Sequence, residues 1–137
     1  MPGSFIDSNV LLYIASDDTA KADRAEKLIA GGGNVSVQVL NEVTHVARRK
    51  MSMSWADIDL FLASVRGLLE VHPLTIDIHE TGLAVAERYG LSTYDAMIAA
   101  SALHADCDKL WSEDMQHGLV VENRLKITNP FREATKR

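Results

Sequence analysis

A chain of 137 residues that is 47% apolar and 24% charged has the composition of one ordinary globular domain, long enough to bury about two thirds of the surface its unfolded form exposes. No apolar run approaches the roughly 20 residues a bilayer span needs, and the start of the chain lacks a basic region followed by an apolar stretch, so a membrane or secretory reading is excluded and a cytoplasmic location is expected. The net charge of -5 excludes a general nucleic-acid coat, though not an enzyme whose acidic site holds cations between itself and a polyanion.

Short apolar runs alternate with longer amphipathic segments, which predicts an α/β fold: a central, mostly parallel sheet of four to five strands flanked by helices, spanning residues 1–137 as a single domain. Ser4 to Asp7 reads as a short buried strand, and Asn9 to Ala15 as a helix that begins directly after it. Asp17-Asp18-Thr19 caps a helix from about Ala20 to Ala30, which Gly31-Gly32-Gly33 stops. Val35-Ser36-Val37 is the next strand. From Val39 the residues Leu40, Val43, Val46 and Ala47 fall at helical spacing, and Arg48-Arg49-Lys50 suits the negative end of that helix. Ser54-Trp55-Ala56-Asp57 is a capping box opening a further helix. Leu69 to Leu74 is strand-like, with Pro73 pushing it toward a sheet edge. Helices from about Ile76 to Tyr89, ending at Gly90, and from about Tyr94 to His104 follow. Strands at Lys109 to Ser112 and Leu125 to Thr128 complete the domain, and the tail after Phe131 is expected to fray. The single Cys107 cannot close an internal disulfide.

Among 19 acidic residues, four stand out by position. Asp7 closes the first strand. Glu42 lies along the edge of a helical apolar stripe, where a carboxylate needs a partner or water. Asp95 is in the first turn of a helix, and Asp114 follows a strand. Strand ends and the helix starts that follow them gather at one edge of a parallel sheet, where ligands usually bind. Three of the four also have a plain structural role: Asp7 as a helix cap, Asp95 as the last member of the capping box Ser92-Thr93-Tyr94-Asp95, and Asp114 as a turn aspartate. If they meet, the balance changes. Two carboxylates about 4 Å apart repel by roughly 4 kcal/mol at an effective dielectric of 20, so a cluster needs protons or cations. Mg2+ or Mn2+ suits such oxygens, and the scattered His45, His72, His79, His104 and His117 offer no zinc-ligand spacing.

The segments Phe5-Ile6-Asp7-Ser8-Asn9-Val10-Leu11-Leu12-Tyr13, Gln38-Val39-Leu40-Asn41-Glu42, Leu91-Ser92-Thr93-Tyr94-Asp95-Ala96-Met97-Ile98-Ala99-Ala100, Leu110-Trp111-Ser112-Glu113-Asp114-Met115 and Thr128-Asn129-Pro130-Phe131 resemble, in order and spacing, the successive motifs of a PIN domain, and in particular those of the small VapC-type toxins of toxin-antitoxin pairs. The resemblance implies Mg2+- or Mn2+-dependent endoribonuclease activity that leaves a 5'-phosphate and a 3'-hydroxyl. It implies that Asp7, Glu42, Asp95 and Asp114 are the acidic metal-binding set, assisted by Asn9 and Ser112. It also implies a homodimer and a cognate antitoxin able to place a basic side chain among the carboxylates. Ser8 stands where threonine is frequent in the family, and Glu113 beside Asp114 leaves two candidates for the fourth acid.

Arg48, Arg49, Lys50, Arg24, Arg88 and Lys109 are candidates for phosphate contacts, with a solvated helix end as the plain reading of the run at 48–50. Three other functions fit some of the same residues: an RNA-processing nuclease without a toxin role, a Mg2+-dependent phosphatase or receiver-like domain with an aspartate after its first strand, and a non-catalytic scaffold for a basic peptide. The phosphatase reading wants a second aspartate two positions after the first, where this chain has Asn9.

Overall fold

A computed structural model describes residues 3–132. The chain runs β1 (Ser4–Ile6), α1 (Ser8–Ile14), α2 (Thr19–Ala30), β2 (Asn34–Ser36), α3 (Val37–Arg49), α4 (Trp55–Leu68), β3 (Glu70–His72), α5 (Ile76–Tyr89), α6 (Thr93–His104), β4 (Lys109–Trp111), β5 (Val120–Val121) and β6 (Leu125–Thr128). The six strands form one sheet in the order β3-β2-β1-β4-β6-β5, parallel except for the β5–β6 pair. Six strands rather than four to five is a correction to the sequence reading. The extra strand, β5, has two residues, too few to show a periodicity, and is turned back onto β6 through Glu122 and Asn123 in left-handed backbone (φ 53° and 57°). The expected fraying of the tail falls on residues 133–137, outside the described residues. Among the described residues no helix is long and apolar enough to cross a membrane.

Two strand-to-helix joints are made without a loop. Asp7 follows β1 and caps α1, its side chain accepting from the Ser8 N–H. Ser36 ends β2 and caps α3 by accepting from the Val39 N–H. Both helices therefore start at the carboxyl edge of the sheet. Elsewhere Asp18, Ser54, Thr75 and Ser92 cap α2, α4, α5 and α6 through the N–H three residues on. The caps at Asp7, Asp18, Ser54 and Ser92 match the sequence pattern.

The strand order reverses at β1. The chain moves outward through β2 and β3, then returns to lay β4 on the other side of β1, and such a reversal opens a crevice beyond the carboxyl ends of the two strands. Ile6 pairs with Trp111, so the next residues, Asp7 and Ser112, emerge side by side. The Asp7 N–H donates to the Trp111 carbonyl at 3.0 Å.

Phe5, Ile6, Val35, Leu110 and Ile127 fill the sheet layer of the core. Against it lies α6, buried continuously from Ala96 to Leu103; its alanines bring the helix close to the strands, and α5 covers its outer side. Gly82 of α5 faces Met97, and a Cβ there would collide with the thioether. At the far end of α5, Gly90 adopts left-handed backbone (φ 70°) and returns its N–H to the Ala86 carbonyl at 2.9 Å. The space a Cβ would enter is open, so Gly90→Ala pays only the conformational cost. It is expected to lower unfolding free energy by about 1 kcal/mol in urea titration, with Gly90→Asn losing less.

Candidate active site

Asp7 is only 3% exposed, and a buried carboxylate needs donors on every side. It has them. Oδ1 accepts from the Ser8 N–H at 2.7 Å; Oδ2 accepts from Ser112 Oγ at 2.7 Å and Asn9 Nδ2 at 3.0 Å. Burial still dominates: desolvation pushes the carboxyl up to about 6 against the bonds from Ser112 and Ser8, with the charges of Glu42 and Asp95 adding to the rise.

Glu42 reaches the same place from α3. Its Oε1 accepts from Ser8 Oγ at 2.9 Å, and that hydroxyl lies 3.4 Å from Asp7 Oδ1, so one serine bridges the two acids. Its Oε2 accepts from Gln38 Nε2 at 3.0 Å. Asp95 sits in the first turn of α6, where its N–H donates to the capping Ser92 Oγ at 3.3 Å. The capping role is thus real, and the carboxylate still takes part in the cluster: burial raises it above its ordinary range, opposed by Ser92 and aided by the charges of Asp114 and Glu42.

Successive residues after β4 divide between two sides. Ser112 turns to Asp7, and Asp114 Oδ2 accepts from Asn9 Nδ2 at 3.3 Å. Glu113 turns away. Its side chain takes Tyr13 Oη at 2.6 Å and Lys21 Nζ at 2.5 Å, while its N–H donates to Asn9 Oδ1 at 3.0 Å. Burial works against the Glu113 charge, but the bonds from Lys21 and Tyr13 prevail and hold the carboxyl below its ordinary value. Lys21 also lies over the rings of Tyr13 and Phe131, which tie α1, α2 and the C-terminal segment to this loop. Beside it an open cavity of about 290 Å³ is lined by Asn9, Leu12, Tyr13, Met51 and Asp114.

The structure thus joins Asp7, Glu42, Asn9, Ser112 and Asp114 by hydrogen bonds and brings Asp95 within electrostatic reach. It does not pack three or more acids into a closed coordination sphere: among the described residues no group of three His, Cys, Asp or Glu side chains is placed to hold a metal ion. The donor set is nevertheless all oxygen, which fits Mg2+ or Mn2+; Mg2+ in particular keeps several waters and takes one or two carboxylates. Burial is the main reason that Asp7 and Asp95 are raised, and neighbouring carboxylates add to it: Glu42 and Asp95 for Asp7, Asp114 and Glu42 for Asp95.

Several other residues named from the sequence have partners elsewhere. Arg24 donates to the Pro130 carbonyl, Arg88 pairs with Glu122, Arg48 stacks on Trp55, and Lys109 lies over Trp111. His72 bonds Asn34, His104 bonds Thr81, and His117 accepts from the Asn129 N–H. Cys107 is buried, and burial pushes its thiol up to about 11, leaving it inert at neutral pH. The sequence reading assigned no role to Ser8, Gln38, Tyr13 or Lys21. For Gln38 a signal existed: it stands one helical turn before Glu42 on the same face.

Because Asp7 binds its proton more tightly folded (about 6) than unfolded (3.8), its contribution to stability is fully present below pH 4 and lost as pH rises through 6. The loss at neutral pH is about 3 kcal/mol. In chelator, a carbon-detected NMR titration of the Asp7 carboxyl is expected to show a midpoint near 6; a midpoint below 4.5 would contradict the burial argument. Asp95→Asn, which removes a desolvated like charge, is expected to raise the metal-free melting temperature by a few degrees, whereas a clear drop would make its carboxylate chiefly a cap.

A family model described as the PIN domain matches residues 4–120. Comparison with curated proteins gives no significant match. Among solved structures, a toxin-antitoxin complex from Klebsiella pneumoniae superposes with a TM-score of 0.72 at 17% identity, covering 93% of this chain and 98% of its own. The VapBC2 complex of Rickettsia felis, bound to a DNA fragment from its promoter, gives 0.66 at 18% identity over 92% of this chain and 97% of its own. VapC20 of Mycobacterium tuberculosis, a toxin that cleaves the sarcin-ricin loop, gives 0.63 at 20% identity over 81% and 89%. With a domain match over most of its length and the same fold in these proteins, the chain belongs to the PIN-domain family.

Proposed function

We propose that the chain is a Mg2+- or Mn2+-dependent endoribonuclease and acts as the toxin of a type II toxin-antitoxin pair. The observation that carries the reading is the gathering of Asp7, Glu42, Asp95 and Asp114, from four separate segments, at the sheet edge where the strand order reverses, held by Ser8, Asn9 and Ser112. PIN-family membership supports a nuclease, and the fold shared with VapC20 supports RNA as substrate.

Asp7, Glu42, Asp95 and Asp114 would hold the cation, which supplies charge to the scissile phosphate in an in-line displacement. The chain does the rest. Ser112, Asn9 and the Ser8 N–H fix the Asp7 carboxylate, so it cannot swing toward substrate. Asp95, half-buried and raised above its ordinary range, is suited to accept a proton from the attacking water. The water oxygen bonds to phosphorus as the bond to the 3'-oxygen breaks, and the departing 3'-oxygen takes up a proton from solvent, leaving a 5'-phosphate and a 3'-hydroxyl. Asp114, linked to Asn9, serves as the fourth acid, and Glu113, committed to Lys21 and Tyr13, anchors its loop. The enclosure of Asp7 speaks against a phosphatase, whose aspartate must reach phosphorus itself.

A homodimer is supported by the exposed apolar side chains Leu74, Ile76 and Tyr94. An antitoxin placing a cation among the carboxylates would relieve the same repulsion that the metal does.

Purified protein with a structured RNA and Mg2+ or Mn2+ is expected to cut it, and chelator to stop the reaction. Asp7→Asn and Asp95→Asn should each lower the rate by at least about 100-fold, Asp114→Asn should lower it, and Glu113→Gln should retain most of it. Induced expression should arrest growth of a host, and Asp7→Asn should not; cleavage without arrest would assign an RNA-processing role. Intact RNA together with phosphate release from a small phosphomonoester would overturn the nuclease reading.

A further inference from the structure

Gln38 is a polar residue in the core, 8% exposed on the inner side of α3. Its amide nitrogen donates twice, to Glu42 Oε2 at 3.0 Å and to the Tyr94 carbonyl at 3.0 Å. A primary amide has two N–H groups, so both are spent on this bridge. The Tyr94 carbonyl belongs to the peptide bond that leads into Asp95, and the bridge therefore runs from one acid to the backbone that carries another. Glu42 is gripped from its other side by Ser8 Oγ at 2.9 Å, next to Asp7. A continuous line results, from Asp7 through Ser8, Glu42 and Gln38 to the start of α6.

We propose that Gln38 is a positioning residue that fixes the separation of Glu42 from Asp95, and with it the spacing of the oxygens offered to a divalent cation. The inference rests on the metal-dependent nuclease reading. Its physical basis is that Glu42 and Asp95 repel, stand on different helices and share no hydrogen bond among those of the described residues, so something must set their distance. Packing alone would be served by a methionine or leucine of similar volume. A buried amide donating to a carboxylate and to a main-chain carbonyl does more: it turns the rotamer of Glu42 and the first turn of α6 into one rigid unit. Supporting groups of this kind are worth 10- to 100-fold in metal affinity when removed.

The test is Gln38→Met, which keeps volume and removes both donors. For the folded variant, calorimetric titration with Mn2+ is expected to show affinity at least about 10-fold weaker than wild type, and RNA cleavage to fall in kcat by a similar factor with KM changed less than about threefold. Mn2+ affinity within twofold of wild type, with kcat intact, would overturn the proposal even if the melting temperature dropped, because a packing role moves only the latter. A second measurement needs no variant. In the wild-type protein the Gln38 side-chain amide resonances should shift during Mg2+ titration with the same midpoint as binding, and unmoved resonances at saturation would overturn the proposal. Wild-type protein that neither binds Mn2+ nor cuts RNA would instead bring down the nuclease reading on which the inference rests.

Discussion

A carboxylate at the end of β1 has to be buried, and the rest of the site is arranged around that requirement. Asp7 emerges where the strand order reverses, between two parallel neighbours and under α1, so water is excluded from most of it. An isolated ion there would cost several kcal/mol. The fold answers with donors that come from its own topology: the Ser8 N–H is the first free donor of α1, Asn9 is the next residue of that helix, and Ser112 is brought opposite by the pairing of Ile6 with Trp111. Moving β4 by one residue would replace Ser112 with Trp111 or Glu113 and remove the strongest of these bonds. The sheet register is thereby coupled to the chemistry of one side chain.

The same donors explain how several acids are held near one another. Ser8 stands between Asp7 and Glu42, Asn9 between Asp7 and Asp114, and Gln38 between Glu42 and the peptide before Asp95. Each bridging group offers hydrogens to two oxygens and spaces them, so the repulsion of roughly 4 kcal/mol for a close pair is reduced by distance and by donors together. It is not abolished: burial is the main cause of the raised Asp7 and Asp95, and the charges of neighbouring carboxylates add to it. The folded chain thus concentrates negative charge at one edge of the sheet.

How much of this could be read from the sequence depended on how local the cause was. Capping patterns at Ser54 and Ser92, the stop at Gly90 and the apolar stripe of α3 act over a few residues, and the helices they define lie within one or two residues of expectation. The two-residue β5 had no period to show. Asp7, Asp95 and Asp114 were singled out by a general rule about strand ends and Glu42 by its place on the edge of an apolar helix stripe, yet the groups that hold them could not be found that way. Ser8 bonds to a residue 34 positions on and Gln38 to one 56 positions on, and no local pattern reports such pairs. The basic residues have such distant partners too: Arg24 donates to the Pro130 carbonyl and Arg88 to Glu122.

Glu113 and Asp114 show how adjacent, similar residues acquire opposite tasks. Side chains leave this stretch alternately, so Ser112 and Asp114 face Asn9 while Glu113 faces α1 and α2. On that outer side Lys21 is itself held against the rings of Tyr13 and Phe131, and it favours Glu113 as an anion, whereas burial raises Asp7 and Asp95. A salt bridge that is partly exposed contributes little to global stability. Its consequence here is local: the loop is fastened at Glu113, both by that pair and by its N–H on Asn9 Oδ1, and Asp114 is presented to the amide of the same asparagine. With both of its carboxylate oxygens engaged, Glu113 serves as the anchor of the loop.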